Sequence, residues 1–300
     1  MEIFYKLSTM LLLSIGWISS LLSIRGRGRL GYVLGDLLRF LSSSRKHITY
    51  DNIDKAFPDK SKIEKIKILI GSYRNLGITL AELLVYGKIS KNELLNYIEI
   101  ADYDGLKNLL NNSNGFLVVS GHFGNWELNA LGLSTYFDLS ISVVVKGLKN
   151  YVADKVINSY RTRFGNKMIP MDKAAREIIK TLREGRILAL LADQSADPDK
   201  DVFVPFFGRL AVTYEAPAEL ALKLNVPLVF IYCVRQPDFR YKVEFEIIKT
   251  DDLDKSKESV YELTCRHVAT LEALIRKYPE MWSWQHRRWK HVPKITNKNK

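Results

Sequence analysis

From Gly115 onward, short apolar runs alternate with longer amphipathic segments. The runs at 116–120, 141–145, 187–192, 227–234 and 243–248 read as strands, and 125–133, 151–164, 173–184, 213–224 and 257–277 read as helices. This alternation predicts an α/β fold: a mixed, mainly parallel sheet flanked by helices, with function at the strand ends and in the loops after them. Upstream the pattern is helical. Ser61 to Gly87 carries Ile63, Ile66, Ile70, Leu76 and Leu80 near helical spacing, and Gly31 to Leu41 reads as an amphipathic helix for a membrane surface.

The most apolar segment lies at the beginning. Leu7 to Ile24 is an uncharged stretch of eighteen residues with five serines, preceded by Lys6 and followed by Arg25, Arg27 and Arg29. A membrane span normally takes about 20 mostly apolar residues, so this one is short. A secretory signal would end in a small-residue cleavage site, whereas arginines follow here. The segment reads as a retained anchor, either spanning the membrane or lying in its interface, and the positive charge after it keeps the rest of the chain cytoplasmic. No repeat, low-complexity linker or long Gly/Ser/Pro stretch follows. The expected organisation is an anchor over 1–30, a helical membrane-proximal region over 31–100 that forms one domain with the catalytic region over 101–295, and a frayed tail over 296–300.

Composition narrows the partners. Forty-seven per cent hydrophobic residues suffice for a sizeable core, and a net charge of +12 calls for acidic partners: nucleic acid, anionic lipid headgroups or an acidic carrier protein. Cys233 and Cys265 have no metal-type spacing and read as buried free thiols. His47, His122, His267, His286 and His291 form no ligand motif, so no metal is expected, and without a Walker or dinucleotide glycine fingerprint no cofactor is expected. The Gly-x-Ser-x-Gly elbow of a serine hydrolase is absent too.

Chemistry concentrates in Gly121-His122-Phe123-Gly124-Asn125-Trp126-Glu127, directly after the apolar run Phe116 to Ser120. A histidine can take a proton from a hydroxyl at neutral pH, and a carboxylate on its other ring nitrogen fixes the tautomer and stabilises the imidazolium. Residues five apart on a helix point roughly 140° from one another. His122 and Glu127 are therefore expected across a turn, the histidine leaving the strand and the glutamate in the first helical turn, with Gly121 and Gly124 easing the backbone between. Asp193 falls at another strand end, which puts it in the same site.

These residues are similar to the His-x4-Asp/Glu motif of the lipid A late acyltransferases, within the glycerolipid acyltransferase superfamily, and the resemblance covers nearly the whole chain. Asn52-Ile53-Asp54-Lys55-Ala56-Phe57-Pro58, then Tyr73-Arg74-Asn75-Leu76-Gly77 with Glu82, resemble its upstream segments. Downstream, Arg161-Thr162-Arg163-Phe164-Gly165, Leu191-Ala192-Asp193-Gln194, Val202 to Gly208 and Pro279 to Lys290 resemble its remaining blocks. Some relatives carry Asp in place of Glu127, or Ser or His in place of Gln285 and Gln194, differences that bear on acceptor or chain length.

The resemblance implies a membrane-associated O-acyltransferase of lipopolysaccharide biosynthesis on the cytoplasmic face of the cell inner membrane. Its donor is acyl-acyl carrier protein and its acceptor a hydroxyl of a lipid A precursor. His122 and Glu127 are the expected catalytic dyad. Asn125, Arg161, Arg163, Asp193 and Gln194 are expected to bind substrate or stabilise the transition state, with Asp193 orienting one of the arginines. The arginines by themselves could equally complement a helix dipole in solvent. Trp282 to Lys290 interleaves aromatic and basic residues, a pattern suited to single-stranded nucleic acid or to a membrane interface. The family favours the membrane, placing His286, Arg287 and Arg288 at lipid headgroups and making nucleic acid no partner. Competing readings are an acyltransferase on a lysophospholipid, aminoacyl lipid or glycolipid, a non-catalytic membrane-bound interaction protein, and a nucleic-acid-binding protein.

Overall fold

A computed structural model describes residues 2–291 of the chain. Its first four helices are α1 (Glu2–Ser20), α2 (Ile24–Leu41), α3 (Ser43–Ala56) and α4 (Lys62–Leu83). α2 and α4 begin at serine caps: Ser23 accepts from the Gly26 N–H, and Ser61 and Glu64 satisfy each other's backbone in a capping box. The two helices approach so closely that a Cβ on Gly77 would stand 2.2 Å from the Gly31 carbonyl oxygen and 2.4 Å from the Gly35 nitrogen. Residue 30, the expected end of the anchor, falls inside α2, and the expected tail at 296–300 lies outside the described residues.

The chain then runs through α5 (Lys91–Leu95), β1 (Ile98–Ile100), α6 (Tyr103–Asn112), β2 (Leu117–Ser120), α7 (Trp126–Phe137), β3 (Ile141–Val145), α8 (Tyr151–Arg161), β4 (Lys167–Pro170), α9 (Ala174–Arg183) and β5 (Ile187–Leu191). A hairpin, β6 (Val202–Phe206) with β7 (Arg209–Thr213), precedes α10 (Ala216–Leu224), β8 (Leu228–Arg235), β9 (Tyr241–Ile248) and α11 (Lys257–Lys277). The expected strands and helices after Gly115 are all present with small shifts at their ends. The helix expected from 213 starts at Ala216 because Arg209–Thr213 pairs with β6.

Seven strands form one mixed sheet in the order β1-β9-β8-β2-β5-β3-β4, with every neighbouring pair parallel except β8 and β9. The fold is α/β, as the alternation implies. Because side chains alternate along a strand, Leu117, Val119, Leu188, Leu228 and Phe230 enter one core, under α4, α11 and the tryptophans, while Val118, Ile187, Val229 and Ile231 enter the other, under α7 and α8. The central strands are thus buried on both faces. Their C-terminal ends are the free positions, and the candidate site lies there.

Candidate active site

β2 and β5 are adjacent and parallel, with Ser120 opposite Leu191. Two residues beyond each strand end, His122 and Asp193 therefore meet. Asp193 Oδ1 lies 2.7 Å from His122 Nδ1, and Asp193 Oδ2 accepts from the His122 backbone N–H and from the Trp282 indole N–H, both at 2.8 Å. Nδ1 donates to the carboxylate, which leaves Nε2 as the acceptor on the ring. Nε2 faces Gln194, whose Nε2 is 3.5 Å away, and Trp126 packs against the ring with centroids 5.2 Å apart.

Electrostatics follow from this pairing. Burial resists ionisation of Asp193, but His122, through its charge and two hydrogen bonds, and then the Trp282 N–H outweigh it and hold the carboxyl at about 2. Burial likewise opposes charging of His122. Asp193, and then Glu127, outweigh that and raise its pKa above the usual 6.5.

The turn that carries His122 is held from behind. Gly124 has φ +57°, and a Cβ there would stand 2.0 Å from the Cys233 carbonyl oxygen, so only glycine fits. Its N–H donates to the Met281 carbonyl at 2.9 Å, the Ser283 N–H donates to the His122 carbonyl at 2.9 Å, and Phe123 bridges Trp282. α3 and α4 grip the same C-terminal segment. Asn52 donates to the carbonyls of Trp284 and His286, Ser72 to that of Trp282, and Asn75 to those of Gly124 and Met281. Nothing in local spacing marks Trp282 as a partner of Asp193 or Ser72 as a tie. Asn52 and Asn75 stand in the upstream motifs, which was the available signal.

Glu127 occupies the first turn of α7, as the spacing requires, yet it is not the carboxylate on the histidine ring. Arg161, the last residue of α8, donates from Nε and Nη2 to its two oxygens at 2.8 and 2.5 Å, and from Nη1 to Asn158. The expected partners are exchanged: Asp193 orients the histidine and Glu127 holds the arginine. A parallel register puts Asp193 directly beside His122, while the opening of α7 turns Glu127 toward α8. The pair is partly buried, with side chains 22% and 10% exposed for Arg161 and Glu127.

Other expected site residues are placed elsewhere. Asn125 is fully buried and caps α7 through the Leu128 N–H, while its amide donates to Glu82 and Tyr86. It supports the site from inside and has no surface for substrate. Glu82 beneath it also accepts from Tyr241, and burial, the dominant influence, raises its carboxyl to about 7. Arg163 lies beyond the end of α8 and donates to the carbonyls of Tyr86 and Ile89. Arg288, expected at lipid headgroups, is 1% exposed and ties the Val212 carbonyl and the Thr213 hydroxyl, so it is an internal brace. Arg287 is exposed. His286 accepts the Ser195 N–H at Nε2, and burial first, aided by nearby cations, lowers its pKa to about 4, so it stays neutral. Among the described residues no three His, Cys, Asp or Glu side chains gather as a metal site would require.

A histidine at a strand end, its Nδ1–H held by a buried carboxylate and its Nε2 left as the ring's acceptor near a guanidinium–carboxylate pair, can take up and return a proton. Fold and site together fit an α/β transferase. The chain belongs to the bacterial lipid A biosynthesis acyltransferases, whose family model matches residues 3–291. It is 23% identical over 267 residues to a lipid A biosynthesis palmitoleoyltransferase of Escherichia coli K12, across 88% of this chain and 85% of the relative. Identity is 26% over 268 residues, with the same coverage, to a lauroyltransferase of lipid A biosynthesis from that organism. A phosphatidylinositol mannoside acyltransferase of Mycolicibacterium smegmatis is 24% identical over 196 residues, 64% of this chain and 62% of its own. The protein is an acyltransferase.

Proposed function

We propose that this protein transfers a fatty acyl chain from acyl-acyl carrier protein to a hydroxyl of a lipid A precursor, at the cytoplasmic face of the inner membrane. The observation that carries the reading is the His122 ring, fixed at Nδ1 by Asp193 so that Nε2 is the ring's acceptor, with the Gln194 amide 3.5 Å away. Nε2 removes the acceptor hydroxyl's proton as that oxygen attacks the thioester carbon. The tetrahedral intermediate then collapses, the carbon–sulfur bond breaks, and the imidazolium returns the proton to the departing thiolate. No covalent enzyme intermediate forms.

Glu127 supports this chemistry in two ways: its charge favours the imidazolium, and its grip on Arg161 aims a permanent cation at the site. With the Gly124 N–H already engaged by Met281, Arg161 is the donor we assign to the oxyanion, since a guanidinium has five N–H groups and three are used here. Gln194 beside Nε2 contacts the acceptor, and exposed Arg287 contacts headgroup phosphate. The net charge of +12 suits both an acidic carrier protein and anionic lipid. We assign residues 1–30 to the membrane anchor and 31–100 to a membrane-proximal region that forms one domain with the catalytic region over 101–295.

The deciding experiment supplies purified protein with labelled acyl-acyl carrier protein and a lipid A precursor. Transfer that persists unchanged in both His122→Ala and Asp193→Asn would sink the mechanism. A glycolipid acceptor is the second reading, favoured by the match to a phosphatidylinositol mannoside acyltransferase. Labelled product on a mannosylated lipid, with none on the lipid A precursor, would select it.

A further inference from the structure

α1 and α2 are built inside out for a soluble protein. On α1, Thr9, Gly16 and Ser19 are buried while Phe4, Leu7, Leu11 and Ile18, on the opposite side of an ideal helix, are exposed. On α2, Gly31 and Gly35 face α4 and Gly28 faces Phe239, while Val33, Leu37 and Phe40 face outward. Of the 25 large apolar side chains exposed among the described residues, fourteen lie between residues 3 and 41. A concentration of that kind marks an interaction surface.

The inward side of α1 is fastened at both ends to the rest of the protein. Near its start, the Asn150 amide donates to the Tyr5 carbonyl and to the hydroxyls of Ser8 and Thr9, at 3.0 to 3.2 Å. Near its end, Ser19 donates to the Ala81 carbonyl, Arg27 donates to the Ser19 carbonyl, and a Cβ on Gly16 would stand 2.8 Å from the Leu84 carbonyl oxygen. A helix held along its length in this way crosses a bilayer only by drawing its neighbours in with it. Those neighbours carry the exposed lysines 146, 149 and 155. Burying such charges in hydrocarbon is strongly unfavourable.

We infer that α1 and α2 form a docking surface that lies in one leaflet of an anionic membrane, with α1 in the plane of the interface and not across it. Exposed Arg25 and Arg29 before the apolar band of α2, and Arg45 after it, meet the anionic headgroups. Asn150, against α1, caps α8 and the helix ends at Arg161, so the site stands roughly 16 Å along that helix from the membrane contact. The acceptor lipid is then reached from the side of its own leaflet.

Impermeant maleimide labelling tests this on the full chain, with Cys265→Ala as background because Cys233 is buried. Glu2→Cys and Ser44→Cys are introduced singly at exposed positions on either side of the apolar segment. In bacterial spheroplasts neither cysteine should react until the membrane is opened, and then both should. Reaction of Glu2→Cys in intact spheroplasts overturns the in-plane arrangement. In a second arm, purified protein should bind vesicles of phosphatidylethanolamine with phosphatidylglycerol at least tenfold more tightly than vesicles of phosphatidylcholine, and Leu11→Lys with Leu37→Lys should remove the binding. A protein that binds neither vesicle and runs as a stable dimer assigns the face to a second copy and rejects the inference. The surface deepens the proposed function and rests on a membrane-lipid acceptor, but labelling is read without turnover, so a wrong acceptor and a wrong topology give different results.

Discussion

Asp193 is 71 positions from His122 in the chain, yet its Oδ1 is 2.7 Å from His122 Nδ1, while Glu127, five positions away, gives both oxygens to Arg161. The nearer carboxylate in sequence is not the one that sets the histidine's tautomer. Parallel pairing of β2 with β5 decides the matter.

Asp193→Asn should therefore lower kcat by about 10³ to 10⁴-fold, the scale seen when the orienting carboxylate of a histidine base becomes an amide. His122→Ala should cost at least as much. Steady-state transfer with saturating donor measures both, and an Asp193→Asn enzyme within tenfold of wild type would remove Asp193 from the mechanism.

Glu127→Gln should lower transfer and leave the Nδ1 hydrogen bond intact. Because Glu127 and Arg161 act as one unit, Glu127→Gln and Arg161→Ala should be non-additive, with a coupling of about 1–3 kcal/mol in the double-mutant cycle. Strict additivity in kcat/KM would show that the ion pair does not act through a shared role.

Activity should fall as pH drops through a pKa above 6.5, because only neutral His122 accepts a proton and its carboxylate neighbours favour the charged ring. Removing Glu127's charge should move this acid limb to lower pH. A pH profile of kcat/KM for wild type and Glu127→Gln measures the shift, and movement to higher pH would contradict the assigned charges.

Trp282→Phe keeps an aromatic ring in the core but removes an N–H donated to an ionised carboxylate. Folding stability should fall by about 1.5–3 kcal/mol, the scale of a hydrogen bond to a charged group, as read by denaturant titration. The carboxyl of Asp193 should also titrate higher, detectable by NMR of that side chain.

His267 is 2% exposed, and burial, reinforced by Arg288, lowers its pKa to about 3. The unfolded chain takes up this proton below pH 6.5 and the folded chain does not, so stability declines as pH falls from 6.5 toward 3. His267→Leu should flatten that decline by about 1.4 kcal/mol per pH unit. It also removes a buried ring nitrogen, Nε2, that has no hydrogen-bond partner. Chemical denaturation at pH 6 and pH 4.5 gives the slope directly.

Much of the architecture was legible in the chain. Strands buried on both faces appear as unbroken apolar runs, and their alternation with helices has few solutions other than a parallel or mixed sheet. The shorter elements were not legible: β1, β4 and the β6–β7 hairpin are three to five residues long and owe their form to pairing partners. Likewise, nothing in local spacing distinguishes an Arg288 at the surface from one that braces Val212 and Thr213 inside.

Sequence alone determined that His122 leaves a buried strand through a glycine turn, that Glu127 opens the next helix, and that an apolar segment precedes the catalytic region, because each depends on local spacing and composition. Tertiary structure decided which carboxylate serves the histidine, that Asn125 and Arg288 are internal supports, and which face of α1 is free. Those outcomes depend on strand order and helix docking, which join residues far apart in the chain.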